Sequence, residues 1–303
     1  MRPLFVGYLS RSLACSSAEN SLRKTWKELG LGFLNLLAVA GVIAVAQPQL
    51  QKYSGAAGAG VLAVLCLAVY VAASKWIERR TPTELSIRHA PVELAAGMLL
   101  GVVLFSSVML ILWIARVYRP EGWGSYRQLA GGLFLALLAG ILEELLFRGL
   151  LFRLTSKILG TWGALLVTSA LFGAAHAANH GATVSSSLAI ALEAGILLGA
   201  AYAATGRLWV PIGLHVGWNF TEGSLFGMTL SGNTMATGLI RGSLAGPRIL
   251  TGGEFGPEAS MVAVVVCLCA AAYFIRLVVK FNRAEPPVWR RAQPPLESVD
   301  VPV

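Results

Sequence analysis

Residues 128–154 read QLAGGLFLALLAGILEELLFRGLLFRL, an apolar run broken near its centre by Glu143, Glu144 and Arg148. About 20 apolar residues suffice to cross the hydrocarbon of a bilayer, so the run has the length of a transmembrane helix. Ionisable side chains at such depth cost roughly 2.5–3.5 kcal/mol each on insertion scales and are seldom kept without a use. This stretch therefore sets the fold class, a helical bundle in a membrane, and places a polar site inside it.

The composition agrees. Of 303 residues, 56% are hydrophobic and only 13% charged, with a mean hydropathy of +0.68, whereas a soluble domain carries about 25% charged residues. Apolar runs near 29–47, 55–75, 92–115, 129–157, 161–179, 184–205, 208–228 and 260–281 predict eight spans in an all-α polytopic membrane domain over 29–281. A leader, 1–28, precedes it, and a tail, 282–303, has the proline and charge of a disordered segment. The fourth run is too long to stand perpendicular and is expected to tilt, to kink at Gly140 or to protrude.

The +9 charge does not signal nucleic acid, because no basic cluster with interleaved aromatics is present and the charges fall at span ends. With the N-terminus in the cytoplasm, the inner segments hold most of the Lys and Arg, while the outer ones keep Lys52, Arg116, Arg119, Arg127, Arg241 and Arg248. Both termini are thus expected inside. The stretch MRPLFVGYLSRSLAC has too short an apolar core for a cleaved signal, and the first span is expected to direct insertion. Cys15, Cys66, Cys267 and Cys269 have neither metal-ligand spacing nor a disulfide pattern.

On a helix, Glu144 and Arg148 are four apart with the acid first, the better orientation for an ion pair, and Glu143 points about 100° away. A carboxyl without a charge partner in a low-dielectric site is suited to take up and return a proton, which makes Glu143 the candidate general base. The competing reading is that both acids only lock Arg148 at a helix crossing. Geometry favours the first. If Gly160 is the turn of a helical hairpin, Glu143 and His176 lie about 25 Å from it on opposite arms and meet at one depth. Phe172, four before His176, shares its face and is placed to pack on the imidazole or the substrate peptide. In the seventh run, His215 and Asn219 share a face as two neutral donors for an oxyanion, the alternative being interhelical hydrogen bonding.

These residues, in EELLFRGLL, LFGAAH and GLHVGWN, resemble the CPBP or ABI family of intramembrane proteases, which includes the CAAX prenyl endopeptidases and bacteriocin-processing and immunity proteins. TGRLWVPIG and TGGEFGPEAS also look like stretches of bacterial members, and the likeness covers roughly 129–260. The resemblance implies an endopeptidase of a bacterial inner membrane acting on a peptide or protein at the bilayer, prenylated or not. It implies that Glu143 and His176 activate a water, that His215 and Asn219 hold the oxyanion, and that Glu144, Arg148 and Phe172 support them. Spans 4, 5 and 7 would carry the catalytic core. Members are called metalloproteases, and Glu143, His176 and His215 would be the zinc ligands if a metal takes part. A third ligand would consume Glu143 or recruit His180, where Asn179 and Gly181 signal a helix end; the reading prefers metal-free catalysis.

A non-enzymatic alternative is a proton-coupled carrier with Glu143, Glu144, Arg148 and Glu193 as its relay, for which the paired halves with broken helices are lacking. An immunity or scaffold protein that keeps the fold without hydrolysis is another. Glu193 either lines the cavity or bonds a neighbouring helix. Glu222 is expected to be solvated at the membrane edge, His89 to lie at the surface, and Gly195, Gly199 and Ala203 to allow close packing. The glycine-rich stretch 229–259 is expected to cap the cavity as a lid.

Overall fold

A computed structural model describes the backbone of residues 3–233 and 238–291, and the side chains of all these except 3–22, 24, 43 and 47–56. Helix dominates: α1 (Pro3–Trp76), α2 (Ala90–Ile114), α3 (Leu129–Glu144), α4 (Arg153–Ala175), α5 (Val184–Ile190), α6 (Ile196–Thr205), α7 (Trp209–Phe220), α8 (Arg248–Thr251), α9 (Met261–Lys280) and α10 (Val288–Arg291). The all-α expectation needs one correction, a two-stranded antiparallel sheet of β1 (Tyr118–Trp123) and β2 (Ile240–Leu244). Its first strand, YRPEGW, lacks alternation and carries a register shift between Pro120 and Gly122, so periodicity gave no sign of it.

Among the described residues, six helices are long and apolar enough to cross a membrane. The sequence count of eight differs because Tyr126–Ala178 is one such run although it reverses, and because α7 is too short to be counted. The reversal is at Gly160, whose φ of 70° and ψ of 178° break α4 into two arms. A side chain is disfavoured at that φ, and a Cβ would also lie 2.6 Å from the Glu285 carbonyl oxygen. Helix α1 also turns back. A straight helix would hold Asn35 and Ser74 about 58 Å apart, yet Asn35 Nδ2 donates to Ser74 Oγ at 3.2 Å.

Gly140 does not kink α3, for the helix runs unbroken from Leu129 to Glu144 and Gly140 instead lets Val216 approach. The irregularity follows the two acids, where Leu145–Phe152 winds as a π-helix. Such widened turns recur at functional sites.

Helix α7 is enclosed, every residue from Pro211 to Asn219 being buried. Two glycine pairs set its seat. A Cβ on Gly97 or Gly101 of α2 would lie 2.3 and 2.2 Å from the carbonyl oxygens of Val210 and Leu214, and one on Gly213 or Gly217 of α7 would lie 2.2 and 2.1 Å from those of Leu94 and Met98. Backbone meets backbone, the close approach that small residues four apart permit. Gly101→Leu is therefore expected to cost about 1–3 kcal/mol or more, measured as thermal midpoint in detergent. Gly30→Ala, with nothing within 4 Å of its Cβ, should be neutral or slightly stabilising.

A polar clamp ties the ends of α1, α4 and α7 together. Arg80 pairs with Glu78 at 2.9 Å and with Glu84 at 2.8 Å, Arg153 reaches Glu78 at 2.8 Å, and the Leu208 amide donates to the Glu84 carbonyl. Burial raises the Glu78 carboxyl, but Arg153, with Arg80 and Asn35, outweighs it and holds Glu78 below its ordinary range. A depressed pKa contributes stability above the unfolded value of 4.5 that is lost as pH falls through the folded value. Thermal midpoints should thus fall on acidification below about pH 4.5, and Glu78→Gln should flatten that limb.

The tail is not wholly free, since the Thr161 amide donates to the Glu285 carbonyl and Arg291 to that of Ser156. Residues 282–291 thereby cover the Gly160 turn, and the rest of the expected disordered tail, 292–303, lies outside the described residues, as do 234–237 of the expected lid.

Candidate active site

The hairpin brings its two arms together at the depth expected from the sequence. Oε2 of Glu143, at the end of α3, is 3.9 Å from His176 Nε2, just past the end of α4. The same oxygen is 4.0 Å from Nε2 of His215 on α7 and has no hydrogen-bond partner among the described residues. His176 Nδ1 lies 2.8 Å from the Phe172 carbonyl. A carbonyl only accepts, so Nδ1 carries a proton, and in the neutral form of the ring Nε2 is an acceptor turned toward Glu143. Phe172 packs on the His176 ring with centroids 4.8 Å apart and on Phe147 at 4.8 Å.

Glu144 and Arg148 form the expected ion pair at 2.7 Å, both fully buried. Arg148 also donates to the carbonyls of Ala194 and Gly195 and lies 4.7 Å over the Phe172 ring. The sequence did not show that Glu144 has a second partner, His215 Nδ1 at 3.0 Å. This changes the role open to His215. With Nδ1 donating to the Glu144 carboxylate, the neutral ring would turn an acceptor, Nε2, to the cavity, and only the imidazolium form would donate there. Asn219, one turn on, is 9% exposed and makes no side-chain hydrogen bond among the described residues.

His176, His215, Asn219 and Phe172 line one cavity that extends to Glu193, Ser231, Glu258 and Cys267. About 30 Å³ of it is open to the centre of a water molecule, room for one or two waters. Glu193 thus lines the cavity. Glu222, expected to be solvated, is fully buried and accepts from Trp218 Nε1 at 3.1 Å, because the chain winds on as a π-helix after α7 and turns it inward. Glu258 and Ser231 come from the long connection and were invisible to motif spacing. His89 and His180 are exposed, away from the cavity lining.

Zinc at about 2.0–2.1 Å from its donors sets tetrahedral donor atoms about 3.4 Å apart. The Glu143–His separations are wider, and among the described residues no group of three or more His, Cys, Asp or Glu is arranged to hold a metal ion. Glu143, His176 and His215 do not make a ready zinc site.

Residues 125–221 match the family model described as type II CAAX prenyl endopeptidase Rce1-like. No curated protein and no solved structure matches the chain. The matched segment runs from the start of α3 through α7 and contains Glu143, His176, His215 and Asn219 together. Over this segment the chain is therefore similar to the Rce1-like type II CAAX prenyl endopeptidases.

Proposed function

We propose that the protein is an intramembrane endopeptidase that cuts a peptide or protein substrate with water activated by Glu143 and His176. The observation carrying this is that two acceptors from opposite arms of one hairpin, Glu143 Oε2 and His176 Nε2, face each other 3.9 Å apart. They are too far apart to bond directly, yet a water about 2.8 Å from each would subtend an angle near 90° and donate one hydrogen to each. Its lone pairs would then point at a carbonyl carbon, and removal of its proton by Glu143 makes it a nucleophile.

His215, as an imidazolium held by Glu144, and Asn219 donate to the oxygen on which negative charge develops. Glu143 next passes its proton to the leaving amine, and the tetrahedral intermediate collapses to a carboxylic acid and an amine. Arg148 pairs with Glu144 and so fixes the carboxylate against which His215 is held. Both termini lie in the cytoplasm of a bacterial inner membrane in this reading, supported by the bias of Lys and Arg toward inner segments.

Cleavage of a peptide library in vesicles by the wild type and by Glu143→Ala tests the proposal: products that do not depend on Glu143 would sink it. The same assay after dialysis against a chelator is expected to give an unchanged rate. Loss of a stoichiometric zinc together with activity, both restored by zinc, would overturn the metal-free form.

A further inference from the structure

A second opening lies between α5 and α9, where the membrane-length runs Val184–Thr205 and Met261–Lys280 both begin. About 450 Å³ of it is open to the centre of a water molecule, against about 30 Å³ in the catalytic cavity. The two chambers share a wall: Ala189, Leu192 and Ala259 line the opening, while their neighbours Ile190, Glu193 and Glu258 line the cavity. Hydrolysis by Glu143 and His176 makes no use of it.

Thr183, Ser185 and Arg248 lie where the two runs start, and Leu188, Leu192 and Val264 follow about one to two turns into them. Leu188, Ile249 and Met261 are 58%, 58% and 49% exposed, so the opening is a groove on the lipid-facing side and not an internal void. Native packing leaves few gaps larger than a water, and an apolar wall gives water no partners. In a bilayer the groove is therefore filled by a hydrocarbon chain.

The charge at its mouth selects the headgroup on that chain. Arg248 Nη2 reaches Thr183 Oγ1 at 3.4 Å, and Ser185 Oγ is 3.0 Å from the same oxygen. The arginine stem lies along Gly253, where a Cβ would come 3.0 Å from Nε. Among the described residues Arg248 makes no ion pair with Asp or Glu, and no acidic side chain lines the groove. A guanidinium left so, with hydroxyls beside it, matches the oxygens of a phosphodiester. The ammonium of a zwitterionic headgroup would find no carboxylate there, whereas a headgroup without a cation needs none.

We propose that this groove binds one anionic phospholipid, its phosphate on Arg248 and Ser185 and one acyl chain along Leu188, Leu192 and Val264. The site stands whether or not the protein is a hydrolase. A lipid held there packs against the outer side of the wall that carries Glu193 and Glu258.

The test titrates full-length protein in a non-ionic detergent with phosphatidylglycerol or phosphatidylcholine of matched chains, and counts bound lipid by native mass spectrometry. Wild type should hold one phosphatidylglycerol about fivefold more tightly than phosphatidylcholine, the preference that one basic residue at a membrane surface supplies. Arg248→Gln, a change at an exposed side chain, should bring the two affinities together. Met261→Trp, which sets a bulky ring in the groove, should weaken both. Water-soluble glycerophosphoglycerol should not compete at the lipid's own concentration, since the buried chain supplies much of the binding. Equal wild-type affinities for the two lipids, or a preference that survives Arg248→Gln, would overturn the proposal. Competition by the soluble headgroup would do the same and leave a free-phosphate site. A dimer by light scattering that holds no lipid would assign the groove to a second copy of the chain instead.

Discussion

Glu143→Gln is expected to lower kcat by about 10²–10⁴-fold, the range over which a positioned general base acts. Glutamine keeps the size of the side chain and removes its capacity to take a proton. Since Glu143 Oε2 has no hydrogen-bond partner among the described residues, the folded protein should survive the change with its thermal midpoint little altered. The combination of lost turnover and retained stability separates chemistry from structure. His176→Ala should fall in the same range, and the double variant should be little worse than either alone if both residues act on one water. A rate for Glu143→Gln within a few-fold of wild type would rule out the carboxylate as the base.

The second large effect is on folding. Glu144→Gln removes the carboxylate between Arg148 and His215, leaving a guanidinium that is 1% exposed without its counter-ion. Breaking a buried pair from one side typically costs about 3–5 kcal/mol, against about 1–4 kcal/mol gained or nothing lost when both partners become apolar. Glu144→Gln should therefore give little folded protein by size-exclusion chromatography in detergent, whereas Glu144→Gln with Arg148→Met should restore a monodisperse peak. The restored protein should still be inactive, because nothing then holds the charge on His215. Recovery of both fold and turnover in the double variant would show that the acid is not part of the oxyanion-binding arrangement.

The residues that could be read from sequence are those whose relation is set by helical spacing or by one short turn. Glu144 with Arg148, Phe172 with His176 and His215 with Asn219 are four apart, and Gly160 converts chain distance into the meeting of Glu143 and His176. What escaped depends on a distant partner. That His215 is anchored by Glu144 follows from a contact across 71 residues. The glycines of α2 and α7 show their purpose only when the two helices are seen in contact, for each pair alone reads as tolerated small residues. Glu222 looked solvated because an ordinary helical end was assumed where the chain winds as a π-helix. Glu258 reaches the cavity through an irregular connection that carries no period.

Because the carboxyl and the imidazole that share Oε2–Nε2 contact belong to opposite arms of one reversal, their encounter is a measurement of length from Gly160. One residue inserted anywhere between 144 and 175 would rotate everything beyond it by about 100° and displace it by about 1.5 Å, swinging one member of the pair off the shared face. Connections elsewhere can grow or shrink without disturbing that register. Homologous proteins that retain hydrolysis should accordingly vary freely in loop size on either side of this interval while its own residue count stays fixed.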